Sequence, residues 1–197
     1  MTTVVVPFAG AAGKTRLDAS RSTRRALSLA MLADVLAASI VVGPTVVVTG
    51  DEEGAALARE LGAGAVADPG GGQGPAVRAA LTGVAGPVLV VNADVPCVVR
   101  EDLRALLEGV PERGIAIVEA LDGTTNALGL SAADLFRPLY GPDSARRFHA
   151  LDVETVSVVV PNLAEDVDTM GDLERLQLRC GPRTQSVLAA LTTRTAQ

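Results

Sequence analysis

The chain has 197 residues, 48% of them hydrophobic but only 2% aromatic, and a formal net charge of -6. That length suits one domain over residues 1–197, with a core of Val, Leu and Ala, as in an α/β sheet covered by helices on both faces. The acidic balance argues against nucleic acid or an anionic membrane surface as partner.

Cys97 and Cys180 are far apart, with no CxxC pair and no secretory segment, so a reduced, cytoplasmic protein is expected. The most apolar window, residues 27–48, is interrupted by Asp34 and Gly43-Pro44 and does not read as a membrane span. All basic residues but one are Arg, and the exception is Lys14.

Residues 3–8 read as a first strand, followed by the loop Ala9-Gly10-Ala11-Ala12-Gly13-Lys14-Thr15-Arg16. Such a loop can wrap phosphate with backbone N–H groups while Lys14 and Arg16 supply charge. The P-loop pattern needs Gly where Phe8 stands, and GxGxxG needs Gly where Ala12 stands, so neither applies. The plain alternative is a flexible turn with solvated charges.

Residues 20–39 read as a helix that is apolar nearly all round after Arg25, hence buried or part of a homodimer contact. A strand over 44–49, a helix over 52–61 ended by Gly62, and a short strand over 64–67 follow. Asp68-Pro69-Gly70-Gly71-Gly72-Gln73-Gly74 is either a loop whose backbone approaches a ligand or a linker, since three glycines cost folding entropy. Residues 75–84 read as a helix.

The central stretch is Pro87-Val88-Leu89-Val90-Val91-Asn92-Ala93-Asp94-Val95-Pro96. It reads as a strand buried on both faces that delivers the Asp94 carboxylate to its C-terminal edge, where open α/β sheets bind ligands. A carboxylate there is placed to hold Mg2+ against phosphate oxygens, because hard cations take oxygen ligands. The alternative is a helix N-cap, although helix signals start only near Arg100.

Downstream, a helix over 101–108, a strand over 114–121, a turn at Asp122-Gly123, the segment 124–130 and a helix over 133–139 are expected. In Gly141-Pro142-Asp143-Ser144-Ala145-Arg146-Arg147-Phe148-His149, Asp143 or Ser144 could cap a helix whose N-terminus, beside arginines, favours an anion. His149, with no second ligand near it in sequence, reads as structural. A strand over 154–160 stopped by Pro161 leads to Asp166-Val167-Asp168, whose carboxylates share one side of an extended segment. A shared cation would relieve their repulsion, and an exposed turn capping a helix over 173–180 is the alternative. A terminal helix is expected over 182–192.

Taken in order, VVVPF…GKTRL, NADVP, TTNAL, GPDSARRFHA, DVDTMGDLE and CGPRTQSVL resemble the MobA-like nucleotidyltransferases with a glycosyltransferase-A-like fold. Within them the chain is similar to the family that guanylylates phosphoenolpyruvate or 2-phospholactate in biosynthesis of the deazaflavin coenzyme F-420. The resemblance implies a three-layer α/β/α domain with a mostly parallel sheet. It also implies that Asp94, Asp166 and Asp168 bind Mg2+. GTP would meet Gly10, Gly13 and Lys14 in the first loop and Gln73-Gly74 in the second, with Lys14 and Arg16 holding the triphosphate. Thr125, Asn126, Gly141 and Ser144 would surround the small phosphorylated acid. Two positions depart from the family: Ala9 stands where Lys is usual after the first strand, and Pro75 or Ala76 where Asn follows the second glycine-rich loop. A related transferase for molybdopterin or a sugar phosphate, or a nucleotide-binding domain without catalysis, is the rival expectation.

Overall fold

A computed structural model describes residues 1–10, 14 and 16–195 of the chain. Seven strands, β1 (Thr3–Pro7), β2 (Thr45–Thr49), β3 (Gly64–Ala67), β4 (Val88–Val91), β5 (Gly114–Glu119), β6 (Thr125–Leu130) and β7 (Glu154–Ser157), form one sheet in the order β3-β2-β1-β4-β6-β5-β7. Pairing is parallel except around β6, which runs antiparallel to both β4 and β5. The Asp122-Gly123 turn explains the β5–β6 hairpin, with Gly123 at φ 82°. Inserting β6 between β4 and β5 sets residues 125 and 126 beside the end of β4.

The alternation of strand side chains separates two cores. Val4, Val6, Val47, Leu89, Val91, Ala116 and Val118 face one side, under α1 (Arg21–Ser39), α2 (Glu52–Glu60), α4 (Arg100–Glu108) and α6 (Pro161–Ala164). Val5, Val48, Val88, Val90, Ile115, Ile117 and Leu128 face the other, under α3 (Gln73–Ala80) and α5 (Ser144–His149). The result is the three-layer arrangement implied by the resemblance. A third cluster joins Leu27 and Met31 of α1 to Leu173 and Leu176 of α7 (Met170–Leu176), with Leu17, Val167, Cys97 and Cys180.

From Leu27 onward most of the nearly all-apolar α1 is buried within the chain. Its far side carries α8 (Pro182–Thr195), and the buried Asp34 carboxylate caps that helix by accepting from the N–H groups of Arg183 (3.1 Å) and Thr184 (2.8 Å). Cys97 and Cys180 are free thiols with their sulfurs 4.0 Å apart. Among the described residues no helix is long and apolar enough to cross a membrane.

Several expected boundaries shift. Residues 133–139 hold only a 3-10 turn at Ala133–Leu135, because Arg137 precedes Pro138 and is disfavoured in the helical region. The last strand ends at Ser157, and Pro161 opens α6 at its first turn instead of merely stopping the strand. Helix α7 begins at Met170 through a capping box of Thr169 and Asp172. Finally α3 begins at Gln73, so Gln73 and Gly74 belong to a helix and not to the preceding loop. The backbone at Gly70, Gly71 and Gly72 has φ of 83°, 84° and 93°, which glycine alone adopts without strain.

Candidate active site

The C-terminal edge of β4 lies at the centre of the sheet and is where Asp94, Asp166 and Asp168 come together. Asp94 follows β4 by three residues, and its backbone carbonyl accepts from the N–H of Val167 (2.9 Å). That bond ties the 166–168 segment against the strand end. Val167 points into the third core and is fully buried, so Asp166 and Asp168 turn the opposite way, as extended alternation requires. One carboxylate oxygen from each of Asp94, Asp166 and Asp168 lies within 4.8 Å of the others. Asp94 Oδ1 is buried and, among the described residues, has no hydrogen-bond partner.

Lys14 stands inside this cluster. Its Nζ donates to Asp94 Oδ2 (2.5 Å), the carbonyl of Val167 (2.6 Å) and Asp168 Oδ1 (3.0 Å), and the residue is 9% exposed. Burial pushes the ammonium pKa down, but the Asp94 and Asp168 carboxylates outweigh it and the net shift is upward, so Lys14 is a cation. Arg16 adds a bond from Nη1 to Asp168 Oδ2 (3.0 Å) from a largely exposed position, where screening leaves it little energy. Neither the distance in sequence nor the loop composition indicated that Lys14 would meet the acidic residues.

Asp166 has a pKa above the ordinary carboxylate range, first because it is buried and second because Asp94 repels its charge, with an Asn126 amide donor giving partial relief. A raised pKa in the folded state makes the ionised carboxylate a cost. That cost is absent below the unfolded-state pKa, where the group is protonated in both states, and it accumulates as pH rises through the folded value. In metal-free protein, Asp166→Asn should therefore have a higher thermal midpoint than the parent at pH 7. The advantage should shrink as pH falls into the ordinary carboxylate range. Melting both proteins in chelator across that range checks it, and a variant less stable at neutral pH would refute the assignment of strain to this carboxylate.

A cleft of about 240 Å³ opens beside the cluster, with Gly10, Lys14, Gln73, Asn92, Asp94 and Asp168 among its lining residues. Gly10 has φ 69°, and a Cβ there would meet Asp51 Oδ2 at 2.6 Å, so both backbone and space require glycine. Gly13 lies outside the described residues. Gln73 donates from Nε2 to Asn92 Oδ1 (2.6 Å). Gly74 is small for a packing reason, since a Cβ would stand 2.6 Å from that of Pro138.

On the other side of the cluster, Asn126 is buried and donates from Nδ2 to Asp166 Oδ1 (3.2 Å). Its neighbour Thr125 accepts at Oγ1 from the fully buried Ser144 hydroxyl (3.0 Å). Ser144 thus meets the segment whose next residue, Asn126, reaches Asp166. Neither Asp143 nor Ser144 caps α5 with its side chain: Asp143 holds the N-cap place in a left-handed conformation (φ 56°), and Ser144 is the first helical residue. The N–H groups of Ser144 and Ala145 already bond to the carbonyls of Gly141 (3.0 Å) and Gly123 (3.4 Å), so the hydroxyls are the polar groups this corner has to offer. Gly141 is exposed with φ 110° and abuts Arg147. His149 pairs with Ser157 (2.9 Å) away from the acids, in keeping with a structural role.

Asn92 was not among the expected site residues, although it directly follows the last residue of β4 and precedes Asp94 by two. Ser28 of α1 also lines the cleft, with a buried hydroxyl that has no partner among the described residues, and a serine within an apolar helix gave no such signal.

Residues 2–178 match the family model described as guanylyl transferase CofC like. The chain is 37% identical over 191 residues to the phosphoenolpyruvate guanylyltransferase of Nocardia farcinica, covering 89% of this chain and 84% of that protein. It is 36% identical over 204 residues to the phosphoenolpyruvate guanylyltransferase of Streptomyces coelicolor, covering 96% of each. A solved nucleotidyl transferase from Methanothermobacter superposes with a TM-score of 0.62 at 17% identity, covering 96% of this chain and 99% of that one, which supports the fold. With the model match spanning most of the chain and the acidic cluster at the end of β4, the protein belongs to the CofC-like family of guanylyl transferases.

Proposed function

We propose that the chain, as a single cytoplasmic nucleotidyltransferase domain, transfers GMP from GTP to phosphoenolpyruvate in biosynthesis of coenzyme F-420. The convergence of Asp94, Asp166 and Asp168 beside the cleft, between a nucleotide side at Gly10, Lys14 and Gln73 and an acid side at Thr125, Asn126 and Ser144, carries this reading. The names of the relatives at 36–37% identity favour phosphoenolpyruvate over 2-phospholactate.

The donor set fits Mg2+: three carboxylates each offer a hard oxygen within reach of one point, and Asp94 also has a buried oxygen without a partner among the described residues. Bound there, Mg2+ would neutralise phosphate charge and orient the triphosphate. In the reaction the acid's phosphate oxygen forms a bond to the α-phosphorus of GTP, the bond from that phosphorus to the β-bridging oxygen breaks, and pyrophosphate leaves. No protein group needs to form a covalent bond. Lys14 and Arg16 supply positive charge to the triphosphate, Asn126 holds Asp166 in position, and Thr125, Gly141 and Ser144 fix the acid for in-line attack. Incubating the protein with GTP, Mg2+ and each candidate acid, with pyrophosphate measured, tests the reading. Phosphoenolpyruvate should release it, and release confined to molybdopterin or a sugar phosphate would replace this reading with its rival.

Ser144→Ala tests the acid side. The hydroxyl's bond to buried Thr125 is worth about 1 kcal/mol, so the thermal midpoint should fall by roughly 2–4 °C. Because Thr125 then loses its orientation toward a charged ligand, the KM of the acid should rise about tenfold while that of GTP hardly moves. A loss confined to stability would make Ser144 a packing residue and remove it from the substrate site.

A further inference from the structure

We propose that Asn92 is a positioning residue for the nucleotide base: it fixes the side-chain amide of Gln73 so that Gln73 Oε1 faces the cleft as an acceptor for a base N–H donor. This rests on the guanylyl-transfer reading above and concerns how the nucleotide is recognised.

Four side chains stand in line across the site. Gln73 Nε2 donates to Asn92 Oδ1 (2.6 Å), Asn92 Nδ2 donates to Asn126 Oδ1 (3.3 Å), and Asn126 Nδ2 donates to Asp166 Oδ1 (3.2 Å). A primary amide offers donors at one end and an acceptor at the other, so each of the three could in isolation be turned either way. One fixed acceptor removes that freedom. The backbone carbonyl of Thr125, which can only accept, lies 3.4 Å from the side-chain nitrogen of Asn92. Asn92 must then turn its nitrogen toward Thr125 and toward Asn126, whose oxygen answers it and whose nitrogen is left for Asp166. The Asn92 oxygen is left for Gln73, whose nitrogen must answer it. Any one flip would set oxygen against oxygen or nitrogen against nitrogen. At Asn126, which is 2% exposed, water has no room to repair the mismatch.

Gln73 Oε1 is thereby the free end of the line. Among the described residues it has no protein partner, and Gln73 and Asn92 both line the cleft. The same cleft has apolar walls at Phe8, Val48 and Ala76, which suit a flat heterocycle better than a ribose or phosphate. A base presenting an N–H to this wall meets an acceptor whose direction is set, through Asn92, by the backbone carbonyl of Thr125.

Calorimetric binding of GTP to the parent protein, Asn92→Leu, Gln73→Met and the double variant tests the relay. Each single change should weaken GTP about five- to tenfold, the size of one neutral hydrogen bond, and the double variant should be no weaker than the worse single one within about twofold. Ribose 5′-triphosphate, which lacks the base, should bind the parent and Asn92→Leu equally. Losses that multiply in the double variant, or an equal loss for ribose triphosphate, would overturn the proposal; Asn92→Ala carries the same test should the leucine variant not fold. A parent protein that binds no GTP would remove the functional reading and the relay together, whereas parent binding with multiplying losses removes the relay alone.

Discussion

Replacing Asp94 with Asn is expected to lower turnover by roughly a thousandfold, about 4 kcal/mol of transition-state stabilisation, while the fold persists. The substitution keeps the shape of the side chain and leaves β4, whose four residues are all buried, untouched. What it removes is charge at the point where three carboxylates converge and where one buried oxygen has no partner among the described residues. An amide is a far weaker ligand for a hard cation than a carboxylate, so the loss belongs to the reaction and not to folding. Steady-state pyrophosphate release, a thermal melt and titration of the protein with Mn2+ check the three parts. Activity within tenfold of the parent would mean that Asp94 is only an acceptor for Lys14.

Asp94, Asp166 and Asp168 were readable from the sequence because each signal is local. A strand that ends in a lone carboxylate announces its edge, and two carboxylates spaced by one residue share a side of an extended segment. Their convergence follows from the bond between Val167 and Asp94, a contact no local pattern records. The hairpin at Asp122-Gly123 was equally local and correct, but the place of β6 between β4 and β5 was not visible, since sheet order is decided by pairing across the chain. That insertion is what carries Asn126 to Asp166. The errors have local causes too: Pro138 broke an apparent helix, and Gly72, with its positive φ, let α3 start two residues before Pro75, where a helix start was expected. Asn92 escaped notice because an amide beside a carboxylate has no chemistry of its own until its partners are known.

Lys14 is the residue whose partners the sequence hid most completely, and its removal should show in both stability and rate. The loop composition suggested a solvated lysine reaching for phosphate, whereas its Nζ is enclosed by Asp94, Asp168 and the Val167 carbonyl. Deleting one partner of a buried ion pair costs about 3–5 kcal/mol because the remaining charge is stranded. Here Asp94 and Asp168 keep side-chain exposures of 25% and 34%, so water offsets part of that cost. We expect Lys14→Ala to lose about 1–3 kcal/mol in metal-free protein, lowering the thermal midpoint by roughly 3–10 °C. Mg2+ at a hundred times its dissociation constant would return about 2.7 kcal/mol, and the variant should gain more from it than the parent, which already has a cation among its carboxylates. Turnover should fall about a hundredfold or more even with Mg2+ present, since on the proposed reading the triphosphate loses a nearby cation in a partly dehydrated site. Melts with and without Mg2+, together with pyrophosphate release, separate the two effects. A variant with unchanged kinetics and an unchanged midpoint would return Lys14 to the reading its loop first suggested, a solvated charge on a flexible turn.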